Sequence, residues 1–402
     1  MSTNLIKAKF IGVGAAGNKA VIELMNQKVV TNPNDILLLN TTLRDIPAEY
    51  QDKAISFGYM QGCGKEREVA KKQIALAISE KRVDFETFIQ DKPDTVVIVT
   101  SVEGGTGSGA SVNIAKYLSL AFDIKVHMFA FCGFEDDIRG LKNTVDWFNE
   151  LSDQYTIEAI SNKKFLEDGA DRESAENLAN LEFAKRMRIL LGQNIEPSSS
   201  NMDERDLYKV ATQPGYMTIE SCSMNSKLRD KDQFNSLLQE TISASKSIDT
   251  EPSAVRMGIM INTSSKTHGV IDEDFDVLKK QYGKPFERFY HKQSTHEADY
   301  INFIISGMKV PIDYIKDTYN RFKEEFDKVD KSKDSFFGKN DAFNTSEGSM
   351  FDTATGFIES NNEVNMKKEA ALKAMGIISS TTSSQMSQAN PFENMGLVKS
   401  EL

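Results

Sequence analysis

A glycine-rich segment that follows directly on an apolar strand constrains this sequence more than any other feature. Residues 95–100 read Thr-Val-Val-Ile-Val-Thr, and four glycines then fall within residues 104–109. Glycine lets backbone N–H groups approach a ligand closely, and a helix predicted from about Ala110 points its positive end at the same place. The segment therefore predicts a cradle for a polyphosphate. The predicted cradle consists of Gly104, Gly105, Thr106, Gly107 and Ser108.

A second glycine loop occupies residues 12–18, after a strand predicted at 9–13, and it also opens a helix. Its G-x-G-x-x-G spacing equally fits an NAD-dependent oxidoreductase, which needs an acidic residue at the end of the second strand. That strand, 36–40, ends in Asn40-Thr41-Thr42, which disfavours the dinucleotide. The predicted contacts here are Gly12, Gly14, Ala15, Ala16, Gly17, Asn18 and Asn40.

A third glycine pair, Gly62 and Gly64, precedes another predicted helix. A P-loop carries a lysine before the Ser or Thr of its glycine segment, and residues 104–109 contain none. Lys65 or Arg67 is therefore a candidate cation for the terminal phosphate. A solvated charged turn is the alternative.

Apolar strands alternate with helical periods through the first third of the chain, which predicts a doubly wound α/β domain with a parallel sheet. At 402 residues the chain exceeds what one core usually supports. A tail rich in Ser, Asn, Thr and Gly is predicted to be disordered. The predicted organisation is a nucleotide-binding domain at 1–172, a central helix and loop at 173–200, a second, smaller α/β domain at 201–311, a C-terminal helix at 312–330 and the tail at 331–402.

Composition excludes several classes of function. A formal net charge of −11 argues against direct binding to nucleic acid, and no apolar run approaches the ~20 residues of a membrane span. Three widely spaced cysteines and the lack of a signal-like N-terminus predict a cytoplasmic protein. With four histidines and no cysteine beside them, no transition metal is predicted.

Three phosphate-facing loops in this order resemble the tubulin/FtsZ superfamily, and within it the plasmid- and phage-borne TubZ-like branch. The family signature, GGTG between small residues, matches residues 104–109, although Glu103 replaces the expected Ser, Ala or Gly. The resemblance spans about residues 5–330 and implies GTP or GDP with Mg²⁺. It also implies nucleoside contacts from Glu135 and Arg139, a guanine contact from Asn162 and a further base contact from Asn180 on the central helix.

Residues 201–207, Asn-Met-Asp-Glu-Arg-Asp-Leu, are similar to the synergy loop of that family. Spacing alone favours a simpler interpretation, with Asp203 as a helix N-cap and Asp206 in the first turn. The resemblance implies instead that Asn201, Asp203 and Asp206 complete the active site of a neighbouring subunit. GTP hydrolysis would then need head-to-tail contact, and a polar filament would form.

Such filaments imply segregation or positioning of plasmid or phage DNA, with the tail recruiting a DNA-bound adaptor. The alternatives are a nucleotide-gated binding protein that never polymerises and the NAD-dependent oxidoreductase.

Overall fold

The computed structural model describes residues 4–58, 62–151, 153–193, 195, 202–224, 228–264, 269–294, 298–334, 367, 368, 370–373 and 375. The strands are β1 (Ala8–Val13), β2 (Ile36–Asn40), β3 (Ala54–Ser56), β4 (Thr95–Ser101), β5 (Val126–Cys132), β6 (Thr156–Ser161), β7 (Gly215–Ser223), β8 (Arg256–Asn262), β9 (Glu287–Gln293) and β10 (Tyr300–Met308). The helices are α1 (Gly14–Asn26), α2 (Arg67–Ser79), α3 (Phe85–Phe88), α4 (Gly105–Phe122), α5 (Ile138–Glu150), α6 (Lys163–Glu167), α7 (Arg172–Leu190), α8 (Glu204–Ala211), α9 (Lys231–Ser243), α10 (Asp276–Tyr282) and α11 (Ile312–Asp334).

The strands form one mixed sheet in the order β3-β2-β1-β4-β5-β6-β7-β10-β8-β9. Pairing is parallel from β3 through β7 and antiparallel where β10 lies between β7 and β8. The predicted α/β fold is thus confirmed. The sheet continues from the first half into the second through three β6–β7 pairs, of which Thr156 with Gly215 is the first. The division of the chain into domains stays a prediction.

Helices cover both faces of the sheet, as near-continuous apolar strands require. One core, which includes Ile74, Ala115 and Trp147, lies under α2, α4 and α5. The other includes Ala20 and Phe183 and lies under α1 and α7. Both faces of the strands are therefore buried, which fixes the positions of the loops at the ends of β1 and β4.

The two edges of the parallel part of the sheet differ in what they carry. At the carboxyl edge, β1 and β4 run directly into α1 and α4. At the amino edge, α7 ends where the chain enters β1, because the Leu5 N–H donates to the Leu191 carbonyl at 2.9 Å. Helix α8 also begins at the amino edge, since a side chain on Gly192 would meet Leu207 at 2.7 Å.

Several boundaries differ from the sequence prediction. Helix α4 begins at Gly105 rather than near Ala110, so the glycine-rich segment forms its first turns. Periodicity did not indicate β3 or β9, which are the edge strands of the sheet and are largely half-buried. The C-terminal helix continues to Asp334.

Residues 335–366 and 376–402 of the predicted tail lie outside the described residues, whereas 370–373 are helical. Among the residues that the structure describes, no helix is long and apolar enough to cross a membrane.

Candidate nucleotide site

A cavity of ≈ 300 Å³ opens at the carboxyl edge between the ends of β1 and β4. This is where open α/β sheets bind ligands. Nine predicted contact residues from four separate segments line it: Gly14, Ala15, Ala16, Asn40, Gly62, Gly104, Gly105, Thr106 and Gly107. Five further lining residues were not predicted: Val13, Thr41, Thr42, Asp45 and Ser101.

Most glycines of the cradle are required by contacts within the protein. A Cβ on Gly107 would lie 2.2 Å from the Thr100 hydroxyl oxygen, and one on Gly105 would lie 2.6 Å from the Glu66 nitrogen. A Cβ on Gly104 meets no atom within 4 Å. Gly105 and Gly107 thus allow α4 to pack against the other loops, while Gly104 is open towards the cavity.

The amino termini of α1 and α4 meet at this cavity. The Cβ position of Gly14 is 3.3 Å from the Gly107 nitrogen, so the first turns of the two helices are in contact. The first N–H groups of a helix have no intrahelical acceptor, and each helix end carries about half a positive charge. Among the residues that the structure describes, those that line the cavity include no Lys or Arg. Anion binding in this cavity therefore depends on backbone N–H groups and helix dipoles.

Two buried polar atoms of the lining lack a hydrogen-bond partner. They are the Asn40 side-chain nitrogen and the Thr41 hydroxyl oxygen. The Asn40 side-chain oxygen already accepts the Thr41 N–H at 2.9 Å, so its nitrogen is free to donate. Buried polar groups are nearly always paired, which indicates that a polar ligand completes this site.

The two candidate cations of the third loop are held by neighbouring helices. Lys65 forms an ion pair with Asp137, the N-cap of α5. The buried Arg67 guanidinium donates to Glu150 at 3.0 Å and to the Ser108 carbonyl at 3.2 Å. The Arg67 guanidinium thus holds α2 against α4 and α5. A contact of Lys65 or Arg67 with a terminal phosphate stays a prediction.

The Asn143 side chain joins the two loops that flank the cavity. Its amide donates to the carbonyls of Lys65 and Glu103, both at 3.0 Å. Asn143 is buried on α5, so this helix sets the spacing between the third loop and the start of α4.

Glu103 stands where the family signature has a small residue, and its side chain packs outside the cavity. Its carboxylate lies over Gly133, where a Cβ would be 1.9 Å from a Glu103 oxygen, and it accepts the Glu135 N–H at 3.5 Å. Burial raises the pKa of Glu103. The side chain is not part of the cavity lining, and Gly140 on α5 leaves further room for it.

The predicted nucleoside contacts lie beside the cavity rather than in its lining. Glu135 pairs with Lys163 at 2.8 Å, and Arg139 pairs with Glu66 at 3.4 Å. Asn162 follows β6 at the carboxyl edge, and its side-chain oxygen is buried without a partner.

Asn180 is half-buried on α7. The other predicted residues outside the lining are Gly12, Gly17, Asn18, Gly64, Lys65 and Ser108. Ser108 turns its hydroxyl back to the Gly104 carbonyl, and Asn18 donates to Leu39 at 3.3 Å. The contacts of all these residues with a nucleotide stay predictions.

Asp203 and Asp206 lie far from this cavity. Asp203 is the N-cap of α8 and accepts the Asp206 N–H at 2.8 Å, as the capping interpretation predicts. Asp203 is exposed at the amino edge, whereas the cavity of the same molecule opens at the carboxyl edge. Asn201 lies outside the described residues.

Residues 7–168 match the family model "Tubulin/FtsZ family, GTPase domain". This part of the chain is a Tubulin/FtsZ-family GTPase domain. The chain is 32% identical over 173 residues to the cell division protein FtsZ of Mycoplasmopsis pulmonis, in an alignment that covers 40% of this chain and 41% of that protein. The alignment thus spans less than half of that relative's length.

Several solved structures are similar in fold to this chain over about four-fifths of its length. TubZ of Clostridium botulinum phage c-st is 20% identical, with a TM-score of 0.58 over 81% of this chain and 100% of that one. A protofilament of Bacillus thuringiensis serovar israelensis TubZ is 14% identical, with a TM-score of 0.67 over 83% and 95% of the two chains. CetZ and FtsZ structures are also similar to this chain.

Proposed function

We propose that the chain binds GTP in the carboxyl-edge cavity and hydrolyses it when a second copy stacks head-to-tail on that edge. The observation that carries this proposal is the separation of the two halves of the site. The cavity lies at one edge of the sheet, and the acidic first turn of α8 lies at the other. Only another molecule can bring Asp203 and Asp206 to a given cavity.

The phosphates bind at the amino termini of α1 and α4, with Asn40 and Thr41 donating from the side. Mg²⁺ usually binds through phosphate oxygens and one or two carboxylates. Asp45 is the carboxylate among the lining residues and is our candidate ligand. When bound, the ion would neutralise charge that develops on the phosphate oxygens.

Guanine is favoured over adenine by Asn162. Its unpartnered side-chain oxygen is an acceptor, and the Watson–Crick edge of guanine presents N–H donors. Glu135 and Arg139 are proposed to contact the nucleoside and Asn180 the base.

The neighbour's Asp203 and Asp206, together with Asn201, are proposed to polarise the attacking water, which positions the nucleophile in line with the terminal phosphate. Heterologous contacts of this kind build polar filaments. The similarity to a TubZ protofilament supports this assembly, and the TubZ-like resemblance supports positioning of plasmid or phage DNA through an adaptor on the tail.

A conservative substitution at Asp203 separates catalysis from capping. Asn is as good an N-cap as Asp, so Asp203→Asn keeps α8 intact but removes the charge. We expect GTP turnover to fall by about 100-fold or more while GTP binding and melting temperature are retained. Asp203→Ala loses turnover and also about 1 kcal/mol of stability. Wild-type turnover by Asp203→Asn would limit this residue to a structural role.

Protein concentration tests whether the site is shared between subunits. Turnover per molecule should rise with the concentration of the wild-type protein, because each active site needs two copies. Electron microscopy with GTP, with GDP and with a slowly hydrolysed analogue should show filaments only in the nucleotide states that support contact. Flat turnover per molecule without filaments would favour the nucleotide-gated binding protein.

A further inference from the structure

A short helical segment of the C-terminal region packs against the body of the protein, and the proposed function does not use it. Residues 370–373 are helical, Ala371 is fully buried and Leu372 is 7% exposed. Both side chains belong to the apolar core under α2, α4 and α5. Their burial shows that this segment has a specific docking position.

Lys368 defines where the segment docks. Its Nζ atom lies 2.6 Å from a carboxylate oxygen of Glu86 on α3 and 5.4 Å from the ring centroid of Phe122. Phe122 ends α4, about 25 Å along the helix from the cavity. The groove between α3 and the end of α4 is therefore at the amino edge, which also carries Asp203.

The docked segment is held by apolar contacts and by an ion pair at the protein surface. Ala371 and Leu372 are buried, Met375 packs against the same core, and the Glu86 side chain that pairs with Lys368 is 66% exposed. Exposed pairs of this kind contribute little to binding. The sequence between α11 and the segment, residues 335–366, is long enough when extended to reach across ~100 Å. Such a tether keeps a weak ligand near its groove and permits it to exchange.

We propose that the groove formed by α3 and the end of α4 binds residues 367–375 of the same chain, and that the docked segment restrains head-to-tail contact at the amino edge. The second part rests on the proposed function. A copy of the segment from a neighbouring molecule is the alternative occupant.

Hydrogen–deuterium exchange of the full chain at low concentration tests the docking. We expect protection of residues 367–375 in the wild type at every concentration. Leu372→Asp places a charge in a buried apolar position, so exchange in this segment and in α3 should become about tenfold faster or more. The matched control Leu178→Asp, at a leucine that is 44% exposed on α7, should leave both unchanged.

Two exchange results would overturn the docking. One is a wild-type segment that exchanges as fast as an unstructured peptide. The other is protection that appears only as concentration rises, which would assign the groove to a neighbouring copy. A charge exchange gives independent evidence: Glu86→Lys should speed exchange of the segment by about 2-fold to 5-fold, and Lys368→Glu in the same chain should reverse this.

Assembly is measured separately, by sedimentation with GTP. Leu372→Asp should assemble at a lower protein concentration than the wild type, while Leu178→Asp should behave as the wild type does. An unchanged threshold in a chain whose segment has been released would overturn the restraint but leave the docking intact. Absence of assembly in all three proteins would contradict the proposed function, and the exchange result would still decide the docking.

Discussion

The helix amino termini at the cavity differ from the one at the amino edge. Helices α1 and α4 begin at the cavity, and neither has a side-chain cap. At the amino edge α8 is capped by Asp203, and α5 and α7, which begin at the carboxyl edge outside the cavity lining, are also capped by aspartates. Caps satisfy N–H groups that otherwise need a partner. The first N–H groups of α1 and α4 are therefore available to a ligand.

The same comparison concerns charge. The cavity lining offers N–H groups and one carboxylate, Asp45, but no Lys or Arg. The amino edge presents the carboxylates of Asp203 and Asp206. Helix α8, to which they belong, already has its N-cap hydrogen bond. Neither edge alone holds everything that phosphoryl transfer needs, which explains why the two must come from different copies in the proposed mechanism.

The largest expected effect comes from a buried substitution in the helix that connects the two edges. Helix α7 runs between them, and its buried Arg186 donates to Glu158 and Glu220 at 2.9 and 3.0 Å. Arg186→Met leaves these carboxylates unpaired, so unfolding free energy measured with denaturant should fall by about 3–5 kcal/mol. Arg188→Met, two residues further along the same helix, is the control, because the contacts of Arg188 are partly exposed. It should lower the free energy of unfolding by about 1 kcal/mol. Equal losses would contradict the importance of the buried network.

A second substitution gives α4 the cap that it lacks. Gly104 is the N-cap residue of α4 and has an extended backbone, so Gly104→Asp should stabilise the nucleotide-free protein by about a few tenths of a kcal/mol. The same carboxylate repels phosphate, and nucleotide affinity in a titration should fall by about 100-fold. Gly104→Ala is the control, because its Cβ meets no protein atom within 4 Å. Unchanged affinity in Gly104→Asp would remove the α4 terminus from the phosphate site.

The smallest effect concerns Glu103. Burial raises its pKa, so its contribution to stability is present at pH values below the unfolded pKa and is lost as pH rises through the folded pKa. Glu103→Gln keeps the shape without the charge. It should therefore raise the melting temperature at pH 8, by the equivalent of about 1 kcal/mol or less, and the gain should vanish as the pH falls below the unfolded pKa of the Glu103 carboxyl. A gain that does not depend on pH would show that the Glu103 charge has no role.

Much of the carboxyl edge was predictable from the sequence, because glycines and apolar strands report on local backbone geometry. The strand at Ile36–Asn40 was predicted with its observed limits, and the three glycine loops meet at one cavity as expected. Asp45 was missed because it lies several residues beyond β2 in a segment without a pattern. The reason for Gly105 and Gly107 was also missed, since it depends on contacts with Glu66 and Thr100.

By itself the sequence determined the α/β class, the glycine-rich segments that follow β1 and β4, and the acidic start of α8, because each depends on neighbours in the chain. Only the tertiary structure decided what these features face. It assigned Arg67 and Glu103 to contacts between helices and set residues 370–373 against the core. It also placed the cavity and Asp203 at opposite edges. Contacts between distant segments depend on how both pack in the sheet, which no local pattern encodes.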